Sequence, residues 1–235
     1  MKSCFRATLI VIVAALAACG GQNQLYVVSQ PPLRPTAEPP TLAHALEQGV
    51  ELTLAGPTDD DDGSWISFAL AGEMAPDDPK VRLPIRTGGI VVWLDPDGSF
   101  WIDGLSIELD ELTVDADAVP PDGILLSDLR VTLAERAVAE PIWNDDRTAL
   151  EAELTLELQF NWSWRQPDGD EAHPLAPQSI SGLLLTLRVS TDAEQQLSLA
   201  ASGQGSGLMW ILENMFGDGN SLELYDPALE LVGGT

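Results

Sequence analysis

Cysteine is nearly absent from this chain, and basic residues are scarce. The 235 residues hold two Cys, Cys4 and Cys19, and everything after Cys19 is free of thiols. That excludes disulfides, Cys-ligated zinc and a Cys nucleophile from most of the chain. Two His, His44 and His173, leave little for a Ser–His pair or an imidazole metal site. No Ser stands in a Gly-x-Ser-x-Gly setting, and Gly203-Gln204-Gly205-Ser206-Gly207 follows neither a Walker nor a Rossmann pattern. The 11 Lys and Arg face 37 Asp and Glu, for a net charge of −26. Such a field repels nucleic acid and bare anionic lipid headgroups. It suits a basic protein partner or divalent cations, and it also simply keeps a protein soluble.

The acids suggest a metal only at first sight. Asp59-Asp60-Asp61-Asp62-Gly63 offers oxygen ligands, but an EF-hand-like loop needs Asp at alternate positions and a Glu at its end. Counted from Asp59, that end position is Leu70, so the run reads as a solvated acidic loop. Weak Ca²⁺ binding is the most it would offer, and no metal site is expected. Paired carboxylates serve glycosidases, yet with 37 acids no pair stands out. The expectation is a protein that is not an enzyme and carries no cofactor.

The N-terminus carries the most specific signal. Lys2 and Arg6 form a short basic start, and residues 7–18 form an apolar run too short to cross a bilayer. Leu16, Ala17, Ala18 and Cys19 follow. This stretch resembles the lipobox of bacterial lipoproteins position by position. The resemblance implies that the Cys19 thiol is diacylated, that residues 1–18 are removed as a signal peptide, and that the new N-terminus is acylated. It implies an acyl anchor in the cell envelope. Gly20 stands where Asp would favour retention in the inner membrane, so the outer membrane is expected. Loss of Lys2 and Arg6 would make the chain more negative still and leave Lys80 as its one Lys.

Residues 19–49 are expected to form a lipidated Cys, a Pro-rich tether and a short helix. Pro31, Pro32, Pro35, Pro39 and Pro40 make an extended, semi-rigid stalk. Some twenty such residues span roughly 60 Å at 3.1 Å each. Thr41 is placed to cap a helix from Leu42 to Gln48 that Gly49 closes.

From Val50 to the end the period is two, which predicts a single all-β domain over 50–235. The clearest strand is 150–164, where Leu150, Ala152, Leu154, Leu156, Leu158, Phe160, Trp162 and Trp164 alternate with polar residues. Its length predicts a bend or bulge along it. Its hairpin partner is expected beyond Gln166-Pro167-Asp168-Gly169, with Leu183, Leu185, Leu187 and Val189 facing the same side. Asp95-Pro96-Asp97-Gly98 suits a type I turn with Gly98 at positive φ. That register sets Asp95 opposite Ser99 and Trp93 opposite Trp101. Further strands are expected near 50–55, 64–72, 81–86, 105–115, 124–134, 195–201 and 221–232. The fold expected is a mainly antiparallel sandwich, open roll or barrel of about ten strands with one or two short helices. Residues 206–217 break the alternation: Ser206 and Gly217 bracket an almost wholly apolar run that predicts a second, buried helix.

Two function classes follow. The first is a non-catalytic structural or protein-binding β module, anchored through Cys19, with an envelope protein as partner. The second is a carrier of lipids or other apolar molecules in a β-lined cavity. Its lining would come from Trp93, Trp101, Trp162, Trp164, Trp210 and Phe216.

Overall fold

The structure is a computed structural model that describes residues 41–57, 63–72, 75, 80–114, 124–166, 168–169, 171–206 and 221–235, with backbone alone for 208–213. The expected lipobox and tether, Asp59–Asp62 and Phe216 lie outside the described residues.

The chain enters through helix α1 (Leu42–Glu47). Thr41 caps it as expected, its hydroxyl accepting the His44 N–H at 3.3 Å, and Gly49 ends it at φ +75°. Leu42 and Leu46 are buried in the main core, and α1 packs against the barrel wall. The helix therefore belongs to the folded domain and not to the stalk.

Among the described residues fourteen strands follow: β1 (Val50–Leu54), β2 (Trp65–Ala71), β3 (Lys80–Leu94), β4 (Phe100–Leu109), β5 (Leu112–Val114), β6 (Ile124–Leu133) and β7 (Ala137–Ala139) come first. Next are β8 (Ile142–Trp143), β9 (Ala149–Arg165), β10 (His173–Pro174), β11 (Gln178–Thr191), β12 (Leu197–Gln204), β13 (Leu208–Glu213) and β14 (Ser221–Gly234). Every pairing is antiparallel.

The pairings run in a closed circuit: β2, β3, β4, β6, β9, β11, β12, β14 and back to β2. Each stave pairs with its neighbour in sequence, and the last joins the first. This is the connectivity of an up-and-down barrel, in which each of the eight staves has a partner on both sides. The short strands extend these staves. β1 continues β2's stave, pairing the same two neighbours, β3 and β14. β5 follows β4 along β6, β10 follows β11 along β9, and β13 follows β12 along β14.

Alternation decides which face is inside. In β9, Leu150 through Trp162 at every second position are buried and the intervening residues face out. Ile180, Leu183, Leu185, Leu187 and Val189 of β11, the hairpin partner expected, do the same. The buried side chains of all eight staves form one continuous cluster. Each fully buried Leu, Ile or Phe contributes about 1.5–3 kcal/mol, so the core dominates stability.

Three expectations need correction. First, β9 is unbroken over its 17 residues, and its neighbours supply the irregularity. β11 inserts a residue at Gly182 (φ +78°) and β6 at Asp128 (φ +53°), each a β-bulge against β9. Second, Leu208–Glu213 is not helical: it is β13, paired with Ser221–Tyr225 of β14. The rest of the expected helix, 214–217, lies outside the described residues. Third, two strands expected separately around residues 81–94 are one 15-residue strand, β3.

The Asp95–Gly98 turn forms as expected. Gly98 N–H donates to Asp95 O at 2.9 Å, Asp95 N–H to Ser99 O at 2.8 Å, and Gly98 sits at φ +94°. Trp93 pairs with Trp101.

Candidate functional site

Of the aromatic residues proposed as a ligand lining, the four with described side chains, Trp93, Trp101, Trp162 and Trp164, do not converge on one site. Trp93 and Trp101 lie on the outer face, because their neighbours Val92, Leu94, Phe100 and Ile102 take the inward positions. Their rings sit 6.5 Å apart at 47°. The Arg136 guanidinium lies over both, 5.5 Å from Trp93 and 5.2 Å from Trp101, and pairs with Asp103. Trp101 Nε1 donates to Asp95 Oδ2 at 3.0 Å. The cation covers the pair, so this cluster braces the hairpin and is not an open ligand platform.

Trp162 is a core residue, 3% exposed. It lies 5.9 Å from Phe160 on the same strand, and its Nε1 has no hydrogen-bond partner among the described residues. Trp164 stacks on His173 at 4.6 Å, where β10 meets β9. Trp210 lies in β13, where backbone alone is described.

Inside the barrel the contact that matters is one the sequence did not single out. Phe68 of β2 and Phe160 of β9 meet edge to face, centroids 5.8 Å apart at 71°. In the eight-stave circuit β2 and β9 are four staves apart in either direction, so the rings come from opposite walls. Two aromatic rings in contact across the axis fill the interior at that level, as small closed barrels do.

The outer wall carries a cleft of about 680 Å³ between β3 and β14. Its floor is the outward side of β2, where Ser67 and Ala69 are small, together with Ala228 of β14. Trp65 stands at one end, under the Arg82 guanidinium 4.5 Å from its ring. Lys80 and Arg82 rise on the β3 side, and Asp226 and Glu230 on the β14 side. Asp226 sits at φ +49° in a one-residue bulge, where Tyr225 and Ala228 oppose Ala69 and Ser67. The period-two pattern places these residues outward, but only the register of three strands from both ends of the chain brings them together.

Titration adds one feature. The Ser99 backbone N–H, 2.9 Å from Asp97 Oδ1, holds the Asp97 carboxyl below its ordinary range. Among the described residues no group of three His, Cys, Asp or Glu side chains is placed to hold a metal ion. No protein-family model matches the chain, and no curated protein matches it.

Proposed function

We propose that the chain is a lipid-anchored lipoprotein of the cell envelope, held at the outer membrane by acyl chains on Cys19. Its barrel acts as a non-catalytic structural or protein-binding module. Three acyl chains bind a bilayer firmly where one holds marginally, at about 0.8 kcal/mol per buried methylene. The Phe68–Phe160 contact carries the preference for a module over a carrier, because rings that meet across the interior occupy space a lipid chain would need.

One observation favours the carrier reading: the buried Trp162 Nε1 is a donor without an acceptor, and an internal ligand would supply one. That reading requires Phe68 and Phe160 to separate. The anchor is tested by fractionation. Cys19→Ala is expected to move the protein out of the membrane fraction or to stall its processing. Normal processing with retention in the membrane overturns the anchored reading.

A further inference from the structure

The cleft over β2 has a polarity that follows from strand order. Two cations, Lys80 and Arg82, stand on the β3 wall, and two carboxylates, Asp226 and Glu230, stand on the β14 wall. One strand, β2, with Trp65, Ser67 and Ala69 outward, separates them, so the walls are two strand spacings, about 10 Å, apart. Lys80 is one of only two Lys in the chain.

Each simple ligand class fits badly. An anion meets two carboxylates and the field of a chain at −26. A cation meets Lys80 and Arg82. An apolar molecule would gain contact with Trp65, Ala69, Val81 and Ala228 but would strip water from four charged groups. A molecule that carries both signs satisfies both walls at once. We propose that this cleft binds a zwitterionic group, with its phosphate or carboxylate against Lys80 and Arg82 and its ammonium against Asp226 and Glu230. Arg82, stacked on Trp65, is already held in place for the anionic end. Lys80 and Arg82 also hold contacts of their own, so a ligand exchanges one set of contacts for another and binds weakly. The site lies on the outer wall and needs neither an internal cavity nor the acyl anchor, so it stands or falls apart from the function proposed above.

The same chemistry comes from two sources, a free zwitterion such as phosphoethanolamine or the headgroup of a zwitterionic phospholipid. A ¹H–¹⁵N NMR titration of the full chain tests the site. Phosphoethanolamine is expected to give saturating shifts at the Ser67, Ala69 and Ala228 amides and the Trp65 indole. Inorganic phosphate or ethanolamine alone is expected to need about tenfold more. Glu230→Gln on one wall, and Lys80→Gln with Arg82→Gln on the other, are each expected to weaken binding about fivefold or more. All three positions are exposed, and the unshifted amides report that the barrel is intact. Absent or unsaturable shifts, halves that bind as well as the whole, or variants from both walls that bind like the parent overturn the proposal. Short-chain phosphatidylethanolamine, kept below micelle formation, separates the sources. Tighter binding than phosphoethanolamine points to the lipid, and equal binding points to the free zwitterion.

Discussion

Phe68 and Phe160 touch across the barrel axis, edge to face at 5.8 Å, from staves on opposite walls. Both are buried, at 2% and 1% exposure. Each truncation to Ala is expected to cost about 3–5 kcal/mol. In a double-mutant cycle the pair should show a coupling of about 0.5–1.5 kcal/mol beyond their separate burial. Denaturant unfolding of the parent, both single variants and the double measures this. Additive losses would mean that the rings do not meet in solution.

The barrel closes where β14 meets β1, and that seam depends on a glycine. Gly233 pairs with both Leu54 and Leu199, and a methyl group there would run into the Thr53 carbonyl oxygen. Backbone cannot step aside as a flexible side chain does, so Gly233→Ala is expected to destabilise by about 1–3 kcal/mol. Gly104→Ala is the control, because its methyl would find Val91 at an ordinary 3.7 Å. Thermal melts of the two variants check the difference. Equal melting temperatures would show that the seam is not tightly closed.

Helix α1 is part of the core. Leu46 is fully buried, whereas the His44 side chain on the same helix is 57% exposed. Leu46→Ala is expected to cost about 2–5 kcal/mol, and His44→Ala under about 0.5. Urea unfolding midpoints give both values. A neutral Leu46→Ala would return the helix to the tether.

The Asp97 turn sets a pH dependence with a definite sign. Its carboxylate accepts the Ser99 N–H, so its folded pKa lies below the unfolded one. The stability it contributes is present above the unfolded value and is lost as pH falls through the folded one. An NMR titration should place Asp97 below an unstructured Asp, and Asp97→Asn should flatten acid-induced melting of this hairpin. An unshifted Asp97 would remove the turn's contribution.

Much of this architecture was legible because alternation survives in the sequence. The wet and dry faces of β9, the Asp95–Gly98 turn and the Trp93–Trp101 register all follow from local rules. Residues 208–213 were misread because a continuous apolar run carries no period, so its length and glycine flanks favoured a helix. The deciding feature was an open edge: β12 ends at Gln204, and the β14 edge at Ser221–Tyr225 takes Leu208–Glu213 as its hairpin partner. The Phe68–Phe160 contact and the cleft over β2 were invisible for a different reason. Each joins strands far apart in the chain, and only barrel closure fixes which ones meet.

Native mass spectrometry of the protein, extracted gently from membranes, tests the central proposal most directly. A filled, anchored module gives one species, the chain cut before Cys19 and carrying its acyl chains, with no further lipid bound. Additional lipid-sized masses that survive mild detergent and leave on collisional activation would contradict it and make the barrel a carrier. The cleft over β2 is separable in that case, because lipid held there is lost in Glu230→Gln and lipid held inside is not.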